Sequence, residues 1–156
     1  MLRIALDCKV PDFTVPATGV DASWSLAGAA GRKLVIFFYP KDMTSGCTLE
    51  AQGFRDQVAA FRKAGTAIVG ISRDTLASHE KFCLKEKLPY PLLSDSDEKV
   101  CRLFDVIQEK SLYGRKYLGI ERSTFLIDKD GYLRREWRKV KVNGHVEEVL
   151  EAAKSL

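Results

Sequence analysis

Phe37-Phe38-Tyr39-Pro40-Lys41-Asp42-Met43-Thr44-Ser45-Gly46-Cys47 takes the chain out of a buried strand, through a tight turn and onto the start of a helix, with a cysteine where it lands. Leu34 to Tyr39 is continuously apolar, as suits a central strand, and Pro40 ends it because proline has no N–H to give a sheet ladder. Thr44, Ser45 and Gly46 are turn and N-cap types, and Leu49, Phe54, Val58 and Phe61 follow at roughly helical spacing. Cys47 therefore falls in the first turn of a helix predicted to run to about Lys63. Unpaired N–H groups and the positive end of the helix dipole favour a thiolate there, and the thiolate is the nucleophile. The competing reading of a free cysteine is a small buried hydrophobe, and the helix-start address weighs against it.

Downstream, Gly65 stops the helix and Thr66 to Ser72 reads as the next strand. Asp74 or Thr75 can cap a helix to about Lys87, Leu92-Leu93 suggests a short extended piece between prolines and polar residues, and Ser96 or Asp97 starts a short helix through Leu103. Residues 107–118 have no clear period and read as a loop. Ser123 to Ile127, a turn at Asp128-Lys129-Asp130-Gly131 and Tyr132 to Val142 predict a hairpin. A last helix from His145 to Ala153 puts Val146, Val149, Leu150 and Ala153 on one face. Upstream, Phe13 to Leu26 predicts a hairpin turning near Gly19. This order predicts an α/β fold: a mixed central sheet with parallel crossovers and an antiparallel edge, flanked by helices on both faces.

Composition suits one globular domain spanning 1–156, with 46% hydrophobic and 29% charged residues. No apolar run approaches the roughly 18 residues of a membrane span, and Met1 to Asp7 is too short and too soon interrupted by charge for a secretory segment, so a cytoplasmic chain with no membrane partner is expected. The four cysteines (Cys8, Cys47, Cys83, Cys101) include no Cys-x-x-Cys pair and the two histidines lack ligand spacing, so neither metal nor cofactor is expected. The net charge of +4 and the cluster Arg134, Arg135, Arg138, Lys139, Lys141 raise nucleic-acid binding. These residues interleave with apolar ones, as on a strand with one wet face, and no recognised motif accompanies them, so no specific nucleic-acid partner is expected; an acidic partner protein stays open.

Taken with Arg122 in Glu121-Arg122-Ser123-Thr124-Phe125-Leu126-Ile127-Asp128, the pattern Pro40-x-x-x-Thr44-x-x-Cys47 resembles the active-site signature of the peroxiredoxins. The string Phe38-Tyr39-Pro40-Lys41-Asp42, Gly46-Cys47-Thr48, Glu50-Ala51 and Gly53-Phe54-Arg55-Asp56, with Pro11-Asp12-Phe13 upstream, is similar to the peroxiredoxin Q, or bacterioferritin comigratory protein, branch. The resemblance implies a thioredoxin-like fold and a monomeric thiol-dependent peroxidase reducing hydrogen peroxide and organic hydroperoxides, with Cys47 passing through a sulfenic acid and a thioredoxin-like protein as reductant. It further implies that Arg122 holds the thiolate and the peroxide oxygens, that the Thr44 hydroxyl accepts from the thiol or donates to substrate, that the N–H groups of Gly46 and Cys47 complete an electrostatic cradle, and that Pro40 keeps water out. A disulfide oxidoreductase of thioredoxin type is disfavoured by the missing Cys-x-x-Cys, whereas a one-cysteine peroxidase or a non-enzymatic redox sensor would use the same cysteine; catalytic turnover separates the last from an enzyme.

Other residues have plainer readings. Arg122 alone could be a surface ion-pair partner, and Thr44 alone an N-cap. Glu50 reads as a capping-box or surface residue, although in the family this position often orients the arginine. His79 and His145 read as surface residues, Lys41 and Asp42 as turn residues, and Cys101 as buried and inert.

Two positions depart from the branch. Ser45 stands where its usual motif has proline, and Gln52 where many members carry a second cysteine five residues after the first. A resolving thiol must therefore come from Cys83, Cys8, Cys101, a second chain or an outside reductant. Cys83 is favoured: a right-handed crossover can put its helix on the same side of the sheet as the Cys47 helix, and some relatives resolve from that helix. A disulfide tolerates about 7 Å between Cα atoms, so the first turn around Cys47 and part of the Cys83 helix are expected to unwind.

Overall fold

Strand β3 (Lys33–Phe38) occupies the middle of a five-stranded sheet, where its uninterrupted apolar sequence finds protein on both faces. The structure is a computed structural model that describes residues 3–19 and 21–156; Met1, Leu2 and Val20, which belong to the expected N-terminal segment and hairpin turn, lie outside the described residues. β3 runs parallel to β4 (Thr66–Ser72), which is parallel to β5 (Leu92–Ser94), while β8 (Ser123–Ile127) and β9 (Leu133–Trp137) complete the sheet antiparallel on the other side. This is the expected thioredoxin-like arrangement.

Alternation along β3 divides the core in two. Val35, Phe37 and Tyr39 face a cluster with Phe54, Phe61, Phe82, Leu126 and Val149. That cluster is roofed by α1 (Ser45–Asp56), α2 (Val58–Lys63), α3 (Leu76–Glu86) and α5 (His145–Ser155). Leu34, Ile36 and Phe38 face the opposite cluster with Phe13, Ile71, Phe104 and Phe125, under the hairpin β1 (Thr14–Pro16) and β2 (Ser23–Ser25) and the short helix α4 (Lys99–Leu103). Phe37 stacks on Phe54 with centroids 4.7 Å apart. Gly70 permits this packing: a Cβ there would lie 2.7 Å from Phe37 Cζ and 2.8 Å from a Leu92 methyl, so alanine at 70 would push β4 off its neighbours.

Several boundaries differ from expectation for identifiable reasons. The helix begun at Ser45 is interrupted at Gln57, whose N–H is shared between Gly53 and Phe54 carbonyls. The helix expected from Ser96 starts at Lys99, because the buried Asp95 carboxylate accepts from the N–H groups of Val100 and Cys101. Residues 107–118 are not a loop: β6 (Ile107–Leu112) and β7 (Arg115–Ile120) pair antiparallel around Tyr113-Gly114, both at positive φ as a tight hairpin turn requires. Most of that ribbon is wet on both faces, so no alternation marked it. The strand from Tyr132 ends at Trp137 rather than Val142.

The late arginines serve the fold. Arg138 donates to the carbonyls of Phe104 and Asp105, Arg134 pairs with Asp128 and Asp7, and Arg135 lies over Trp137. Among the described residues no helix is long and apolar enough to cross a membrane.

Candidate active site

β3 delivers the chain to the carboxyl edge of the sheet, where Tyr39 N–H makes a last ladder-like bond to Ile71 O before the half-buried Pro40 ends the pairing. The chain then turns through Met43, at φ 63°, and enters α1, so Cys47 lies in the first helical turn as expected, with only 1% of its surface exposed. Arg122 comes from 75 residues away. β8 pairs with β3 in a register that sets Ser123 against Phe38, which leaves Arg122 at the same edge as the start of α1. Its Nη2 donates to Cys47 Sγ at 3.3 Å and its Nη1 to Glu50 Oε1 at 2.7 Å. Gly46 makes room for this: a Cβ there would sit 3.2 Å from Arg122 Nη2.

Glu50 is neither a surface residue nor a capping-box partner. It is fully buried, three residues after Cys47 on the same helix face, and forms an ion pair with the guanidinium. Burial pushes its carboxyl up to about 7 even against the pull of Arg122. Burial also works against charge on Arg122, but Glu50 and Cys47 outweigh it and hold the guanidinium firmly protonated. A fixed cation beside the sulfur is placed to stabilise negative charge on an attacked oxygen.

Thr44 occupies the N-cap position, but its side chain makes no cap bond; its hydroxyl donates to Lys41 O at 2.9 Å. With its proton committed to that carbonyl, the hydroxyl keeps only its acceptor capacity for other partners.

Both histidines are buried, contrary to the sequence reading. His79 bridges Asp42 Oδ2 at 2.7 Å and Leu93 O at 2.8 Å. Asp42 is likewise buried: it accepts from Tyr39 Oη at 2.6 Å and Ser78 Oγ at 2.8 Å, and its N–H donates to Asp74. Burial pushes the Asp42 carboxyl up, but His79, Tyr39 and Ser78 prevail and hold it below the usual carboxylate range. Asp42, Asp74 and His79 are the one grouping of metal-ligating atoms found among the described residues, and all three are engaged in these protein bonds. The network ties the turn before Cys47 to the start of α3. His145 shares a 2.8 Å bond with Thr124 Oγ1, and burial together with Arg122 lowers its ring to about 4.

All four cysteines are thiols. Cys83 is half-buried against the same core cluster as Cys47, donates to Thr18 Oγ1 at 3.7 Å, and is pushed up by burial, with Thr18 opposing. Cys101 lies in the cluster on the opposite face of the sheet, and burial and Asp95 raise its thiol far above the ordinary value. Cys8 is exposed and bonds to Leu133, next to the end of β8 that pairs with the start of β3, so it sits at the far edge of the sheet from Cys47. At position 52, the glutamine amide donates to Glu86 Oε1 at 2.7 Å, and Arg55 donates to Glu86 O at 2.8 Å, so α1 is clasped to the end of α3. Lys110 on β6, missed with its ribbon, has its ammonium lowered by burial and by Arg122 and feels the Cys47 charge. The 340 Å³ cavity lined by Leu26, Leu34 and Ile127 opens at the far edge and includes none of these groups.

Opposing pH terms follow from this geometry. Glu50 binds its proton more tightly when folded, about 7 against an ordinary 4.5, so its contribution is full below pH 4.5 and lost as pH rises through 7. His145 is depressed from 6.5 to about 4, so its contribution is full above pH 6.5 and lost as pH falls through 4. Glu50→Gln removes the first alone. Its stability relative to wild type rises between pH 4.5 and pH 8 by up to about 3 kcal/mol, measured by urea denaturation at both pH values; a flat or falling difference contradicts the buried titration.

Residues 6–136 match the family model described as AhpC/TSA family. Peroxiredoxin Bcp of Xanthomonas campestris pv. campestris is 50% identical over 149 residues, covering 90% of this chain and 93% of that protein. Peroxiredoxin Bcp of Bacillus subtilis is 44% identical over 155 residues, covering 99% and 98%. Among solved structures, the bacterioferritin comigratory protein of Xanthomonas campestris, described in connection with its alkyl peroxide reduction activity, superposes with a TM-score of 0.87 at 48% identity, covering 92% of this chain and 90% of that one.

Proposed function

This chain belongs to the AhpC/TSA family as a peroxiredoxin, a thiol peroxidase, and from that premise we propose that Cys47 attacks hydrogen peroxide and organic hydroperoxides and that Cys83 resolves the product. The observation that carries the reading is the Arg122 guanidinium, shared between Cys47 Sγ at 3.3 Å and the buried Glu50 at 2.7 Å. Arg122 is placed to receive the negative charge that develops on the peroxide as the sulfur attacks. Thr44 Oγ1, its proton committed to Lys41 O, accepts from the peroxide hydroxyl. The Cys47 sulfur bonds to the terminal oxygen as the O–O bond breaks. The departing alkoxide takes a proton to leave as alcohol, or as water from hydrogen peroxide, and Cys47 becomes a sulfenic acid.

Resolution forms the S–S bond between Cys83 and Cys47 and expels water. Of the three other cysteines, Cys83 alone shares the core cluster with Cys47. We expect bridging them to loosen α1 and α3, breaking the Asp42 bonds to Ser78 and His79 and the Glu86 clasp from Gln52 and Arg55. A thioredoxin-like dithiol then reduces the bridge by exchange. Peptide mapping of peroxide-treated protein tests the pairing. We expect a Cys47–Cys83 bridge within one chain and a loss of helical circular dichroism on oxidation. A bridge from Cys47 to Cys8, to Cys101 or to another chain refutes Cys83, and a persistent sulfenic acid with no bridge selects a one-cysteine mechanism.

A further inference from the structure

Glu50 Oε1 is held by Arg122, but Glu50 Oε2 is buried with no hydrogen-bond partner. An orphaned carboxylate oxygen is costly away from water, and it is not needed merely to bind arginine, since one oxygen does that. His145 Nε2 lies 4.0 Å from it, at the start of α5. That ring is 4% exposed and shares a 2.8 Å bond with the fully buried Thr124 Oγ1.

The histidine and threonine together are two-way. With the proton on Nε2, the ring donates to Thr124 and the positive end of its dipole also acts across 4.0 Å on an ionised Glu50; with the proton on Nδ1, Nε2 accepts from Thr124 and the ring turns its negative end toward a neutral Glu50. A carboxyl that gains or loses a proton on Oε2 thus faces a neighbour able to suit either state.

We propose that His145, held by Thr124, is a positioning residue that lets Glu50 exchange a proton on its inner oxygen, so that the charge Glu50 and Arg122 jointly present to Cys47 moves between zero and plus one. With Glu50 ionised, its charge cancels that of the guanidinium and repels the thiolate; with Glu50 neutral, Arg122 acts on the sulfur uncompensated. The Glu50 value of about 7 and the neutral ring of His145 fit this exchange near neutral pH. Other charges bearing on the pair are Cys47 on the same face of α1, Lys110 beside Arg122, Glu147 beside His145, and Tyr90, whose hydroxyl donates to Ala51 O and feels Glu50. The inference rests on the thiol-peroxidase reading for its consequence, but its test reads Glu50 directly and separates the two.

Difference infrared spectroscopy of the reduced protein, titrated from pH 5 to pH 9, follows the protonated-carboxyl band assigned to Glu50 by its loss in Glu50→Gln. We expect a wild-type midpoint near 7, a rise of about one pH unit in His145→Phe, where the inner oxygen faces only hydrocarbon, and a return toward wild type in His145→Gln, whose amide restores a polar partner. Thr124→Val reads the same contact from the other side and is expected to shift the midpoint too, which keeps the test open if the Phe variant does not fold. The pH at which the peroxide rate changes should move with the band. A midpoint unmoved in His145→Phe or Thr124→Val, or moved equally by Phe and Gln, overturns the proposal; absent peroxide turnover with the expected shifts overturns the enzymatic reading instead.

Discussion

Cys47→Ser is expected to reduce peroxide consumption to the uncatalysed background while leaving the fold intact. The sulfur is the only atom at the helix start able to form the S–O bond, and serine at that place is a far poorer nucleophile at neutral pH. The structural cost is small: the side chain is buried but short, and a serine Oγ can still accept from Arg122 Nη2, so stability should fall by only about 1 kcal/mol. Peroxide consumption with an excess of dithiol, followed by dye assay beside a denaturation curve, checks both halves. Near-wild-type turnover in the folded variant contradicts the assignment, and turnover by wild type beyond one peroxide per chain separates an enzyme from a sensor.

Arg122→Met is expected to slow the peroxide step about a hundredfold or more, the usual effect of removing a charge-assisted donor aimed at developing charge, equivalent to about 3 kcal/mol of transition-state stabilisation. Methionine fills the guanidinium's apolar path, so the loss comes mainly from charge and hydrogen bonding. The variant also strips Glu50 of its counter-ion, which drives that carboxyl further toward its neutral form and makes the protein less stable at alkaline than at acid pH. Arg122→Lys keeps the charge but cannot span Cys47 and Glu50 with one planar fork, so its rate should fall between the two. Stopped-flow second-order constants for hydrogen peroxide measure the series; an unchanged constant in Arg122→Met would reduce the arginine to an ion-pair partner.

How much of this was legible in the sequence varied with the range of the interactions. The strand from Leu34 to Tyr39 and the helix after Gly46 are marked by local patterns: continuous apolar residues, a proline stop and cap types in order. The α3 start was equally readable, since Thr75 caps it by accepting from Ser78 N–H. The break at Gln57 and the β6–β7 ribbon left no such mark, the first because both halves keep helical spacing, the second because solvent meets both of its faces. Glu50 could have been found: three residues after Cys47 puts it on the same helix face, which is not where a capping carboxylate belongs. His79 and His145 could not, because the groups that bury and satisfy them, Asp42 and Leu93 for one and Thr124 for the other, lie 14 to 37 residues away along the chain. Thr44 was read as a cap from its residue type, yet the Lys41 carbonyl takes its proton, a choice set by the turn's shape rather than by composition.

The central claim is that peroxide oxidises Cys47 before any other sulfur. It is tested most directly in a Cys83→Ser background, where resolution is blocked, by adding one equivalent of hydrogen peroxide in the presence of a sulfenic-acid-trapping dione and locating the adduct by mass spectrometry. The account predicts one adduct per chain, on the peptide carrying Cys47, with Cys8 and Cys101 unlabelled. An adduct on either of those cysteines in place of Cys47, or no adduct while peroxide is still consumed, would contradict it.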